Sequence, residues 1–559
     1  LVLYLLLMAL PCCLRLNPDG SFHLAKGWLA TGALSAMLPA TAMWLLACRF
    51  RWINALVSTA LWILFALDFA LFFHFGTRMS DRILFFIMQT NAREANEFLS
   101  QYLLAAATAK AVAVAACLAT AYILLRRLAP ALPRRHAKAF VIALVLINAA
   151  SVVALCVNSF TGAMRATFAD NTLKGLWAAY SEVGEYHADI EQLEKAMAHC
   201  DGTLDRNIYA DGNAPDVIFI IGESYNPNHA QIYGYPLPTT PNLAKERDNG
   251  NLLIFTDVVT PCNATGRVME IFYSPATADA GASRWTMPLV PGLFKHAGYA
   301  VTLHDNQCTR LSGDSKWDVG NCQFLNSDIV EKSTLDYRNT EIRGYDMDFC
   351  QKELAELKRL RSSMAEKPLF AIFHLMGQHI PARAHYPQAT FSRFTAADYA
   401  ARRHDLTKQQ AKVVAEYDNA TLYNDSVVAL IMHSVANRDA IVVYVSDHGE
   451  EVHDFRDQYG RTMGPMTRGI ADNIYRVPLV IYTTPKFREA HAAVTAQIQA
   501  AVNRKVYTAD IGQMLLYLGG IATRWRDDSR NPLLDGYPTE GHRLLLIGHS
   551  VDFDTISCN

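Results

Sequence analysis

The chain changes pattern near its middle. In the first part, apolar residues come in long blocks. Four runs, 28–48, 53–75, 103–125 and 139–157, carry almost no charge. Each is close to the ~20 residues a helix needs to span a bilayer. A shorter run, 1–10, reads as the end of a further span, with a signal peptide as the alternative. Basic residues supply a direction. Arg49 and Arg51 follow the run 28–48, and Arg126, Arg127, Arg134, Arg135 and Lys138 lie between the last two runs. The positive-inside rule places both connections in the cytoplasm and everything after Ser159 outside. Asp68 and Lys110 fall within apolar runs, each roughly 10 Å deep at 1.5 Å rise per residue. Unpaired charges are costly there, and the reading is that they pair; independent snorkelling is the alternative.

After Asp216 the blocks shorten and alternate. Strands are expected at 217–221, 300–304, 369–374, 441–445, 479–482 and 544–547. Helices are expected at 346–361, 409–435 and 509–518. The alternation predicts an α/β/α sandwich on a largely parallel sheet. Three regions result: a transmembrane domain over 1–159, a linker with juxtamembrane helices over 160–215, and a catalytic domain over 216–559. Within the linker, 190–197 reads as an acidic helix, lying on the membrane or packed on the catalytic domain.

Composition supports this division. Of 559 residues, 51% are hydrophobic, which is high for a soluble enzyme alone. The net charge of −2 gives no footprint for a nucleic-acid partner. The first residue is Leu rather than Met, so the N-terminus is read as possibly incomplete. Six of the 11 cysteines (Cys200, Cys262, Cys308, Cys322, Cys350 and Cys558) lie in the outer part. An oxidising compartment permits three disulfides there, with Cys308–Cys322 the favoured pair; buried free thiols are the alternative.

Two strand ends carry the chemistry. Residues 216–221 run into Gly222-Glu223-Ser224, and 440–446 run into Asp447-His448. Ligands sit beyond the carboxyl ends of strands in open α/β sheets. Glu, Asp and His there suit zinc or a similar divalent ion. Between them, Thr265 stands near a helix N-terminus, read either as a plain cap or as a nucleophile.

These stretches resemble the phosphoethanolamine transferase family of the alkaline phosphatase/sulfatase superfamily. The likeness rests on Gly222-Glu-Ser224, His229, Tyr233-Gly-Tyr235 and Thr239-Thr-Pro-Asn-Leu243. It continues through His304-Asp-Asn-Gln307, His374-Leu-Met-Gly-Gln-His379 and Ser446-Asp-His-Gly-Glu-Glu451. The resemblance implies a multi-pass protein of the bacterial inner membrane with a periplasmic catalytic domain. It also implies one zinc ion on Glu223, Thr265, Asp447 and His448, with Thr265 as nucleophile. Phosphatidylethanolamine would be the donor; lipid A, lipopolysaccharide core or a periplasmic glucan would be the acceptor. His379 would contact the phosphoryl group or a second zinc. His374 is a strand-end partner or a structural hydrogen-bonding group. Asn306 and Gln307 are candidates for the phosphoethanolamine head, with loop support the alternative for Gln307. Glu450 is expected to orient His448.

The chain departs from the family pattern in two places. Family members carry a histidine about a dozen residues beyond the Asp-His pair; here Arg461 falls near that place, and His453 is too close. Arginine binds phosphate but not zinc, so a second metal there is doubtful. The usual flanking threonine is also missing, which leaves Thr260 as the fallback nucleophile. A sulfatase would need a Cys/Ser-x-Pro-x-Arg run, and 262–266 is not one. The rival readings are a glycerol-phosphate transferase of the lipoteichoic-acid type and a degenerate membrane-anchored binding domain.

Overall fold

The computed structural model describes residues 5, 14–16, 22–24, 36–37, 40–45, 51–75, 112–114, 116–117, 119–120, 134–160, 168–201, 208–308, 322–364, 367–400, 402–461, 466–546 and 550–557. Two compact units divide between Val183 and Gly184.

In the first unit, helix α1 (Arg51–Phe75) covers the apolar run 53–75, and α2 (Arg134–Phe160) covers 139–157. Among the described residues, one helix contains a stretch long and apolar enough to cross a membrane, Ala55–Phe72; Lys138–Val153 is a shorter apolar stretch. Most of 28–48 and 103–125, with Lys110, lies outside the described residues, so the expected Asp68–Lys110 pair does too.

Helix α3 (Phe168–Asp201) runs without a break through the region expected to be a linker. Its last turns belong to the second unit. Leu193 and Met197 are fully buried there, and the Leu289 N–H donates to Met197 Sδ at 3.4 Å. The stretch 190–197 is therefore packed within the second unit rather than separate from it.

The second unit is built on a seven-stranded sheet. Its strands are β1 (Asp216–Gly222), β2 (Leu252–Phe255), β3 (Ala300–Asp305), β4 (Tyr337–Arg338), β5 (Leu369–His374), β6 (Ala440–Ser446) and β7 (Leu479–Thr483). The spatial order is β2-β7-β6-β1-β5-β3-β4. The ladder from β6 through β4 is parallel, and β7 is antiparallel to both its neighbours. The sheet is thus mixed at one edge rather than parallel throughout. The expected strand at 544–547 is real but separate: Leu544–Leu546 pairs with Ser550–Asp552.

Both faces of the sheet are covered, because successive side chains point to opposite sides. Val217, Phe219 and Ile221 face one apolar cluster with Val301, Leu303, Phe370, Ile372 and Val443. That cluster receives Val268, Met269 and Phe272 of the short helix α4 (Thr265–Phe272). Ile218 and Ile220 face the other cluster with Phe373, Val442 and Tyr444. There the sheet meets helices α5 (Asp346–Ser363) and α6 (Lys408–Ser434). Each fully buried Val, Ile or Phe contributes about 1.5–3 kcal/mol, which is why near-continuous apolar strands are stable only between two helical layers.

Register places the functional ends side by side. Ser446 of β6 pairs with Gly222 of β1, and Ile221 pairs with His374 of β5. Gly222 is required by packing. A Cβ there would sit 2.2 Å from the Tyr444 hydroxyl.

The expected Cys308–Cys322 cross-link is not formed. Cys322 carries a free thiol, buried in the cluster that holds Tyr273 and Phe324.

Candidate active site

Glu223 and Asp447 are the first residues past the paired ends of β1 and β6, so strand register sets their separation. The Asp447 N–H donates to the Gly222 carbonyl at 3.1 Å, carrying the ladder one step beyond the strands. Ser224 adopts a left-handed backbone, φ 56°, uncommon for a residue with a side chain. Its N–H donates to Asp447 Oδ1 at 3.1 Å and its hydroxyl to Glu223 Oε1 at 2.8 Å. Those two bonds tie the strand ends together.

His448 is oriented by its neighbour. Its Nδ1–H donates to the Gly449 carbonyl at 2.9 Å, which leaves the Nε2 lone pair facing inward. Nε2 lies 3.2 Å from Glu223 Oε1, 3.1 Å from Asp447 Oδ2 and 3.5 Å from Thr265 Oγ1. The Thr265 hydroxyl donates to Glu223 Oε2 at 3.0 Å. Among the described residues, Asp447 Oδ2 has no hydrogen-bond partner. Glu223, Asp447 and His448 are fully buried, and Thr265 is 8% exposed.

Two carboxylates, one imidazole and one hydroxyl therefore converge from β1, β6 and the first turn of α4. The oxygen-and-nitrogen set, the inward lone pair and the orphaned Asp447 oxygen fit a zinc-type ion. Burial would raise the Glu223 carboxyl, but His448, His379 and Arg461 outweigh it and hold it well below the usual range. Burial pushes Asp447 up, with the Glu223 charge beside it adding to the effect. Burial and the Arg461 guanidinium both push His448 down, toward the neutral form a metal ligand needs.

The other expected residues divide by what they touch. Arg461 Nη1 donates to the Asn263 carbonyl at 2.9 Å and lies 2.6 Å from His448 Nε2. Its Nε is 3.6 Å from Glu450 Oε2. Gln307 Nε2 donates to Glu223 Oε2 at 3.0 Å and to the Leu375 carbonyl at 2.8 Å, so it braces the carboxylate. His379 is half-buried, with its ring edge-on to His385 at 5.8 Å between centroids. Its loop is fixed by Asp346, whose carboxylate accepts the N–H groups of Met376 and Gly377. Gly377 has φ +48°, and a Cβ there would lie 2.9 Å from the Glu223 carbonyl.

The four other candidates are fully buried. Asn306 has Nδ2 donating to Asp346 and Oδ1 accepting from the Arg343 N–H. His374 has Nδ1 on Asp305 Oδ1 at 3.1 Å. Glu450 does not orient His448, since the Gly449 carbonyl does. The Thr260 hydroxyl donates to the Asp447 carbonyl at 2.6 Å.

Sequence reading missed the group that shapes the Arg461 loop. Glu451 Oε1 accepts the N–H groups of Asp454, Phe455 and Arg456. Asp454 in turn meets His229 Nε2 at 3.0 Å, while His229 Nδ1 meets Asp418 at 2.6 Å. Arg403 reaches Asp454 at 3.3 Å, and the Tyr235 hydroxyl donates to Asp418 at 2.7 Å. The one available signal was a cluster of Glu and Asp just after Asp447-His448.

A profile of the sulfatase family matches residues 215–521. The chain belongs to the sulfatase family. Within it, the chain is 26% identical over 527 residues to phosphoethanolamine transferase EptC of Escherichia coli K12, covering 90% of this chain and 87% of that one. The solved C-terminal periplasmic domain of the Escherichia coli EptC, a zinc complex, superposes with a TM-score of 0.52 at 26% identity, covering 63% of this chain and 96% of that one. The integral membrane lipooligosaccharide phosphoethanolamine transferase A of Neisseria meningitidis gives a TM-score of 0.58 at 18% identity, covering 95% and 98%; it speaks for the fold. Within the sulfatase family, the motif-based resemblance to phosphoethanolamine transferases is thereby borne out.

Proposed function

We propose that this protein is a phosphoethanolamine transferase that moves the group from phosphatidylethanolamine to an envelope glycolipid or glycan through Thr265. The observation that carries the reading is the Thr265 hydroxyl, 3.0 Å from Glu223 and 3.5 Å from His448 at the mouth of the parallel strands. A threonine in the nucleophile position, without the Cys/Ser-x-Pro-x-Arg run, favours phosphoryl over sulfuryl chemistry.

In the first step the Thr265 oxygen attacks the phosphorus of the donor diester. Glu223 Oε2 stands where it accepts the hydroxyl proton. The bond from phosphorus to the diacylglycerol oxygen breaks, and that oxygen leaves with a proton from solvent. The product is a phosphoethanolamine ester of Thr265. In the second step an acceptor hydroxyl oxygen attacks the same phosphorus, its proton passing to solvent, and the threonine oxygen departs, reclaiming the proton held by Glu223. Arg461 supports both steps by pairing with phosphoryl oxygens as charge develops. Zinc held by Glu223, Thr265, Asp447 and His448 would lower the pKa of the threonine hydroxyl and polarise the phosphoryl oxygen.

The proposed setting is the bacterial inner membrane, with several spans and a periplasmic catalytic domain. Exposed Leu56 and Ile63 on α1, and Val145 and Leu146 on α2, support a lipid-facing surface there. The test is mass spectrometry of envelope glycolipids and glucans from cells carrying wild-type protein or Thr265→Ala. Loss of the phosphoethanolamine increment in the variant is expected. Its persistence with Thr265→Ala overturns the assignment of the nucleophile.

A further inference from the structure

A second set of ligand atoms lies in the same domain, on residues other than those that surround Thr265. Asp305 ends β3, His374 ends β5, and the two are register partners. Cys322 immediately precedes the short turn Gln323–Leu325. One ligand atom from each of these three residues lies within 4.8 Å of the other two. Asp305 and His374 are fully buried, and Cys322 is 1% exposed.

The hydrogen bonding around this trio is incomplete. Asp305 Oδ1 accepts the N–H groups of Gln307 and Cys308 and faces His374 Nδ1. Among the described residues, Asp305 Oδ2 and His374 Nε2 have no hydrogen-bond partner. The Cys322 sulfur carries a free thiol. A buried polar atom left unpaired is costly, and such atoms in native proteins usually mark a water or an ion. Here a carboxylate and an imidazole, each with an unsatisfied atom, gather with a thiol at one place, and sulfur, imidazole and carboxylate together are a donor set zinc accepts.

We propose that Asp305, Cys322 and His374 form a second, structural site for a zinc-like divalent cation. Binding replaces the Cys322 S–H bond with a sulfur–metal bond and releases that proton to solvent. The site joins the ends of β3 and β5 to the Gln323–Leu325 turn, whose Phe324 packs on Tyr273 at 5.6 Å between ring centroids. Tyr273 directly follows α4, so the cation would brace the helix that carries Thr265. Gln307 separates the two centres: its N–H serves Asp305 and its side chain serves Glu223.

The test uses the full-length protein in detergent, stripped of metal and reloaded with zinc or with cobalt(II). Zinc should bind at two equivalents per chain. Cobalt should give a near-ultraviolet sulfur-to-metal charge-transfer band, since the centre at Glu223 contains no sulfur. Cys322→Ser should lose the band and one equivalent. Glu223→Gln should keep the band while losing the other equivalent, which separates this site from the proposed transferase centre. If Cys322→Ser fails to fold, the wild-type and Glu223→Gln spectra still decide. A wild-type protein with one equivalent and no band overturns the proposal. So does non-reducing peptide mapping that finds Cys322 quantitatively disulfide-bonded to Cys308.

Discussion

Arg461 Nη1 lies 2.6 Å from His448 Nε2, the ring atom that also faces Glu223 and Asp447. A fixed positive charge thus stands beside the nitrogen a cation would use. Like charges this close repel, so the guanidinium weakens metal binding while supplying a partner for phosphoryl oxygens. Arg461→Met should tighten zinc binding by roughly ten-fold and lower kcat by about 100-fold. Competition with a chromophoric chelator, alongside turnover of a phosphatidylethanolamine analogue, measures both. Weaker zinc binding in the variant would show that Arg461 supports the metal rather than opposing it.

Thr265 and Thr260 should respond oppositely. Thr265→Ala should abolish formation of the phosphorylated enzyme, seen as a missing mass increment after mixing with donor lipid. Thr260→Val loses one hydrogen bond to the Asp447 carbonyl. It should cost about 1 kcal/mol of stability by urea titration and leave the increment in place. An increment that survives Thr265→Ala and vanishes with Thr260→Val would reverse the assignment.

His229 makes stability depend on pH. Burial works against the imidazolium, but Asp454 and Asp418 outweigh it and push its pKa up to about 10. Tyr235 and Tyr399 also bond Asp418, and Arg403 also bonds Asp454. A histidine whose folded pKa is raised stabilises the fold fully below its unfolded value of about 6.5; that contribution fades as pH rises through about 10. Between pH 6.5 and 10 the wild-type domain should lose on the order of a few kcal/mol that His229→Gln, already less stable, does not lose. Parallel pH profiles of the urea midpoint for the two proteins would contradict this.

Gly222 offers a packing test. The 2.2 Å approach of an added Cβ to the Tyr444 hydroxyl leaves no room for alanine in the unshifted fold. Gly222→Ala should lower the melting temperature by several degrees, with overpacking costing about 1–3 kcal/mol. Adding Tyr444→Leu should recover part of the loss. A single variant as stable as wild type would mean the strand ends are looser than drawn.

What the sequence disclosed follows from where the information sits. The strands ending in Glu223 and Asp447 were legible because apolar runs stop abruptly at charged residues. Strand β2 was not: Leu252–Phe255 is short and follows Asn and Gly, like many loop edges. The reversed direction of β7 left no local mark either, since a buried strand reads alike in both directions. The amide partners of Asn306, Asp346 and Arg343, were not legible because they lie far along the chain. The same holds for His229, whose meaning depends on Asp418 and Asp454. Side-chain identity names a chemistry; only tertiary placement says whether that chemistry is already spent.

The pairing of Ser446 with Gly222 puts both halves of the centre on one rigid rung. Their spacing is therefore indifferent to how the chain travels between them. Lengthening the outer loops, or opening the polypeptide at an exposed turn and joining its ends elsewhere, would leave that distance unchanged. A one-residue slip of β1 against β6 would instead misplace both carboxylates at once, so the fold's tolerance to redesign lies in its connections and not in its rungs.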